Sequence, residues 1–186
     1  MITVVSGLPR SGTSMMMKML QAGGLSLLID DIREADEDNL NGYFEYEKVK
    51  QLDENTSWLN AAEGKAVKVI SYLLKNLPPQ HEYKVIFMQR NIKEILASQR
   101  RMLAHRNEDD EGVPDTVMAA LFERHLMDIY DWLSSQPNLG VYYVSYNEIM
   151  RDPEPYVEEI KEFLNMDLAI GKMVNVVDPS LYRQRV

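Results

Sequence analysis

A chain of 186 residues with 45% hydrophobic side chains has the size and apolar content of one globular domain, and is short for two. Against 29 Asp and Glu it carries 20 Lys and Arg, a net charge of −9, which excludes the broad basic face of a general nucleic-acid binder. The absence of cysteine excludes disulfides and thiolate metal sites and fits a reducing compartment. No apolar run reaches membrane-spanning length, and no basic leader precedes the first hydrophobic run. The expectation is one cytoplasmic domain over residues 1–186, with no membrane or nucleic-acid partner.

The β-branched run Ile2-Thr3-Val4-Val5 predicts a strand, and it leads into a loop with Gly7 and Gly12. Helical spacing follows at once from about Thr13. A strand, a glycine loop and a helix in succession aim loop N–H groups and the first helical turn at one point, where the helix dipole also favours an anion. Gly7-x4-Gly12 fits the nucleotide-binding loop G-x4-G-K-[ST], except that Thr13 stands at the lysine position. Ser14 keeps the hydroxyl, and Arg10 is the candidate for the missing cation.

Met15, Met16, Met19 and Leu20 give this helix an apolar face, and Gly23-Gly24 marks its end. Residues 25–29 read as a minor strand. Residues 30–47 are acidic; a calcium loop fails there because Leu40 and Gly42 fall at the wrong places. Within this stretch Asn41-Gly42-Tyr43-Phe44-Glu45 stands out as a turn followed by aromatics and a carboxylate. A helix is expected nearby, with Glu45, Val49 and Leu52 on one side and Trp58 anchoring its far end.

Ala66-Val67-Lys68-Val69-Ile70 predicts a second core strand, followed by a helix over Tyr72, Leu73 and Leu74 that stops before Pro78. Lys84-Val85-Ile86-Phe87-Met88 is a third strand, apolar on both faces as in a covered parallel sheet. It runs into Gln89-Arg90-Asn91 and a helix, where Asn91 and Glu94 have capping-box spacing. Ile92, Ile95, Leu96, Met102 and Leu103 form that helix's apolar face, and Ser98 shares the other with Asn91 and Glu94. Residues 105–112 read as a polar loop. Pro114-Asp115 opens a long helix with Met118, Leu121, Phe122, His125, Ile129 and Leu133 at helical spacing, His125 being a satisfied, half-buried histidine. Residues 141–144 form a fourth strand ending at Ser145-Tyr146, and Asp152-Pro153 begins the last clear helix.

Alternating strands and helices predict an α/β fold with a parallel sheet flanked by helices, whose ligands bind at the carboxyl ends of the strands. Residues 7–14, residues 89–98 and Ser145-Tyr146 each follow a strand, so one shared site is expected there.

Three segments resemble the PAPS-dependent sulfotransferases, a P-loop family in its small bacterial and Golgi-like branch. Gly7-Leu8-Pro9-Arg10-Ser11-Gly12-Thr13-Ser14 is similar to the family's 5′-phosphosulfate loop P-[KR]-S-G-T-[ST]. The stretch from Gln89 to Gln99 is similar to its 3′-phosphate element, with Arg90 and Ser98 eight residues apart. The segment from Tyr142 to Pro153 is similar to its strand-tyrosine-helix element, which places Tyr146 against adenine. The resemblance implies that 3′-phosphoadenosine 5′-phosphosulfate (PAPS) donates a sulfuryl group and leaves as 3′-phosphoadenosine 5′-phosphate (PAP). Arg10, Ser11, Gly12, Thr13 and Ser14 are then the 5′ site, Arg90 and Ser98 the 3′ site, and no metal is required.

The chain departs from the pattern at the base. Cytosolic relatives carry K-x-H on the second core strand, whereas Lys68-Val69-Ile70 keeps only the lysine. Golgi-type relatives use a glutamate after the first helix, which makes Glu45 the candidate base and Glu47 the reserve. Arg10 and Lys68 are the candidate stabilisers of transition-state charge. The family's late basic R-K-G element is missing, with Arg183 and Arg185 as possible substitutes. A small-molecule or carbohydrate acceptor is expected, held by residues 30–41 and 105–112. Two rivals are a P-loop kinase or other NTPase, which needs a magnesium-binding acid at a strand end, and a non-catalytic nucleotide-binding protein.

Overall fold

Four parallel strands, β1 (Ile2–Gly7), β2 (Ala66–Lys68), β3 (Tyr83–Gln89) and β4 (Leu139–Ser145), form one sheet in the order β2-β1-β3-β4. The computed structural model describes residues 1–30, 32, 42–105, 112–178 and 180. The helices are α1 (Thr13–Ala22), α2 (Ile92–His105), α3 (Asp115–Ser135), α4 (Tyr146–Ile149), α5 (Pro153–Leu164) and α6 (Ile170–Val174). The expected parallel α/β architecture is the one observed.

Strand alternation divides the core into two layers. Val5, Ala66, Ile86, Met88 and Val144 face α1, α5 and α6, packing on Met16, Met19, Leu20, Val157 and Ile160. Ile2, Val4, Val67, Val69, Val85 and Phe87 face the other side, against Trp58, Leu59, Leu74 and the α3 residues Ile129 and Leu133. Val85, Ile86 and Phe87 are all fully buried; each such side chain stabilises the fold by about 1.5–3 kcal/mol. β3 is hydrophobic on both faces because both faces are covered.

Several local expectations are corrected. The helix expected around Glu45, Val49 and Leu52 is a short 3-10 turn over Glu47–Gln51, and Glu45 precedes it in non-helical chain. The helix over Tyr72 to Leu74 is another 3-10 turn, Ser71–Asn76. Residues 25–29 make a single bridge, Leu27 to Ala66, rather than a strand. β2 stops at Lys68, although Val69 still donates its N–H to the Val5 carbonyl at 3.0 Å. On α3, Phe122, Ile129 and Leu133 are buried, but Leu121 faces solvent. Leu40, one of the positions that ruled out a calcium loop, and the basic tail residues Arg183 and Arg185 lie outside the described residues. So does most of residues 30–41 and 105–112, the expected acceptor loops.

Because all strands run the same way, their carboxyl ends share one edge of the sheet. Gly7, Lys68, Gln89 and Ser145 end the four strands there.

Candidate active site

The loop between β1 and α1 folds as its glycines demand. Gly7 has φ 145° and Gly12 φ 99°, and side chains would collide at both. A Cβ on Gly7 would lie 2.6 Å from the Met88 carbonyl; one on Gly12 would lie 2.4 Å from the Tyr146 ring. Arg10 takes the left-handed region too, at φ 69°. Gly12 caps α1 without a side-chain hydrogen bond, and the first-turn N–H groups have no intrahelical acceptor. The Ser11 hydroxyl is buried at the loop's centre, and its oxygen has no hydrogen-bond partner among the described residues. An orphaned hydroxyl beside uncapped N–H groups suits a phosphate or sulfate oxygen.

The second cluster lies where β3 meets α2. Arg10 Nε donates to Ser98 Oγ at 3.0 Å, so the loop cation reaches the serine two turns into α2. Arg90 Nη1 donates to the Arg10 carbonyl at 3.0 Å, and its guanidinium lies 4.3 Å over the Tyr146 ring centroid. Arg90 Nε also donates to Glu94, a carboxylate that is 1% exposed. The structure thus brings Arg10, Ser11, Gly12, Arg90, Ser98 and Tyr146 together. Arg10, expected in the 5′ loop, reaches Ser98 of the segment expected to hold the 3′ phosphate. Tyr146 is buried between Gly12 and Arg90.

The third cluster is on the α1 side of β2. Lys68 has the same orientation as Ala66, toward α1, and is 8% exposed. Its ammonium donates to the Tyr43 carbonyl and lies 3.5 Å from Glu45 Oε1. Ser14 Oγ donates to the same Tyr43 carbonyl at 3.3 Å. The first turn of α1, the end of β2 and the turn carrying Glu45 are therefore joined at one carbonyl. Asp30 fixes this turn from behind: its N–H donates to the Glu45 carbonyl at 2.9 Å, and its carboxylate accepts from the Glu47 N–H. Glu45 keeps 31% of its side chain exposed, enough to meet a ligand. The reserve candidate Glu47 is turned to Lys50 at 2.7 Å.

Sequence reasoning missed Glu94 and Asn147 as site residues. Glu94 read as half of a capping box with Asn91; instead its carboxylate accepts from Arg90 and from Asn147 Nδ2 (2.9 Å). The Asn91 N–H donates to Asn147 Oδ1 at 3.4 Å, and Asn91 Oδ1 caps α2 through the Lys93 N–H at 2.9 Å. Only the spacing of Arg90 and Glu94, one helical turn, hinted at an ion pair. His125 behaves as expected of a satisfied histidine. Its Nε2 is 2.9 Å from the buried Ser71 hydroxyl, and its ring stacks on Tyr72 at 3.9 Å. Burial, with Lys75 nearby, holds its imidazole below the ordinary value near 6.5, and Asp128 opposes this.

The Sulfotransferase domain family profile matches residues 2–184. The chain belongs to the sulfotransferase family. Among solved structures, the sulfotransferase domain from the curacin biosynthetic pathway is similar over 95% of this chain and 77% of its own, at 14% identity and TM-score 0.56. Mouse sulfotransferase SULT7A1 complexed with PAP is 15% identical over 95% of this chain and 62% of its own, with TM-score 0.47. A sugar kinase from Janibacter sp. HTCC2649 is 14% identical over 96% of each chain, with TM-score 0.43; at such scores neither bears on function. None of the curated proteins matches the sequence. The fold is that of a sulfotransferase, and the domain is a sulfotransfer enzyme. No helix among the described residues is long and apolar enough to cross a membrane.

Proposed function

We propose that this sulfotransferase takes its sulfuryl group from PAPS and delivers it to a hydroxyl or amine of a small-molecule or carbohydrate acceptor, releasing PAP. The observation that carries the reading is the contact between the two phosphate elements, Arg10 Nε to Ser98 Oγ at 3.0 Å. It joins the loop after β1 and the face of α2 in one anion site, as a ligand with phosphates at both its 5′ and 3′ ends requires.

Each residue then has a task. Loop N–H groups and the Ser11, Thr13 and Ser14 hydroxyls hold the 5′ side, and Arg90 and Ser98 the 3′ phosphate. Tyr146 closes the adenine side. Glu45 accepts the acceptor's proton while the acceptor oxygen or nitrogen bonds to sulfur and the sulfur–oxygen bond to the phosphate breaks; the electron pair leaves with PAP. Charge grows on the leaving phosphate and the equatorial sulfuryl oxygens. Arg10 and Lys68 stand ready to stabilise it, acting where water is partly excluded.

Thermal unfolding with PAP, PAPS or magnesium-ATP tests the donor. PAP at a hundredfold excess over its dissociation constant adds about 2.7 kcal/mol, or roughly 5–10 °C for a domain of this size, with EDTA present. A shift with magnesium-ATP and none with PAP would put a kinase or other NTPase in place of PAPS chemistry.

A further inference from the structure

Glu94, the Arg10 carbonyl and Tyr146 all hold Arg90, and Glu94 and the Asn147 that holds it in turn have no part in the scheme above. The Arg90 Nε is tied to Glu94 Oε2 at 3.0 Å, its Nη1 to the Arg10 carbonyl, and its face rests on Tyr146. Glu94 is fixed in turn: its Oε1 accepts from Asn147 Nδ2 at 2.9 Å, and Asn147 Oδ1 faces the Asn91 N–H. The end of β3, the first turn of α2 and α4 are thus linked through one buried carboxylate.

In Coulomb terms Glu94 is out of place. A carboxylate beside an anion site repels the anion, and burying it costs desolvation as well. Its retention at 1% exposure needs an offsetting gain. Orientation supplies one. A free arginine has wide rotamer freedom to lose on binding, whereas a planar guanidinium already fixed on one edge loses little.

We propose that Glu94 and Asn147 are positioning residues that aim the Arg90 guanidinium and so set the preference for nucleotides bearing a 3′ phosphate over those without one. Asn147 directly follows Tyr146, so the same turn that closes the adenine side also holds the residue that aims Arg90. The inference rests on reading Arg90 as the 3′-phosphate ligand, and the experiment separates the two.

PAP and adenosine 5′-monophosphate are titrated calorimetrically into the wild type, Arg90→Ala, Glu94→Ala, Glu94→Gln, Asn147→Ala and the Glu94→Ala/Arg90→Ala double variant. Losing a charge-assisted hydrogen bond predicts that Arg90→Ala weakens PAP by roughly 10- to 100-fold and leaves the monophosphate within about twofold. Glu94→Ala weakens PAP by roughly 3- to 30-fold with the same selectivity, a part of the Arg90 effect because the guanidinium remains but is no longer aimed. Glu94→Gln, which keeps an acceptor for Nε, recovers most of the loss, and Asn147→Ala shows a smaller loss in the same direction. The double variant is no worse than Arg90→Ala alone, since Glu94 acts only through Arg90.

An unchanged PAP-to-monophosphate ratio in Glu94→Ala overturns the proposal, and so does a raised one, the result that simple charge repulsion gives. If Glu94→Ala does not fold, the ratio in Asn147→Ala decides in the same way, because that variant keeps both charged side chains and removes only the amide that orients Glu94. Equal loss of both ligands in Arg90→Ala overturns the 3′-phosphate reading itself.

Discussion

Glu45 has the placement of a base that is held but still reachable. Lys68, buried to 8% exposure on β2, stands 3.5 Å from its carboxylate, and Asp30 pins its backbone. Glu45→Gln keeps the shape and the contact to Lys68 while removing the proton acceptor. Turnover with a competent acceptor is expected to fall by roughly 10²- to 10⁴-fold. PAP affinity, measured by titration, is expected to stay near wild type, since Glu45 is not among the residues proposed to hold the 3′ and 5′ phosphates. Near-normal turnover would remove Glu45 from the mechanism and leave Lys68 as a structural tie for the Tyr43 turn. At this scale the sequence supplied candidates, and the fold gives each its own neighbours. Glu45 and Glu47 are two residues apart, yet one faces Lys68 and the other Lys50.

At the scale of elements, the β1–α1 loop is the most constrained stretch. Gly12 satisfies two demands at once: a φ of 99° and a ring packed on its Cα face. Gly12→Ala meets both the backbone strain and the Tyr146 ring, so a loss of about 1–3 kcal/mol is expected, together with weakened PAP binding. Denaturant unfolding measures the first and titration the second; an unchanged midpoint would show that Tyr146 moves aside freely. The seat of α3 on the turn after β2 is expected to depend on pH through His125. The His125 imidazole is held below its ordinary value by burial first and by Lys75 second. The unfolded chain therefore takes up the proton more readily than the folded one. This contribution to stability is complete above pH 6.5 and is lost as pH falls from there through the lowered folded value. Melting temperatures between pH 5 and 8 should drop more steeply on the acid side in the wild type than in His125→Gln. Parallel curves would assign the acid limb to the carboxylates alone.

Over the whole molecule, the order of strands and helices was legible because it rests on local periodicity. β3 announced itself by the apolar run Val85-Ile86-Phe87-Met88, and the β1–α1 loop by Gly7 and Gly12, whose positive φ angles other residues rarely take. Arg90 and Ser98 were legible only as residues of one segment: Arg90 precedes α2, Ser98 lies within it, and the fold brings both to Arg10, one at its carbonyl and one at its Nε. What failed were the short elements: the segments around Glu47 and Tyr72 have helical spacing but became 3-10 turns. Val49, Leu52 and Leu74 of these two stretches are buried in one layer with Trp58 and Leu59, and elements this short take their form from packing more than from propensity. By itself the sequence determined the parallel sheet, the loop and the identities of the residues at three strand ends, all of them consequences of neighbours along the chain. Only the tertiary structure decided how those residues meet. Arg10 reaches Ser98 across 88 positions, Lys68 reaches Glu45 across 23, and Asn147 reaches Glu94 across 53. Such pairings depend on the order in which the strands are laid side by side, and that order leaves no periodic trace in the chain.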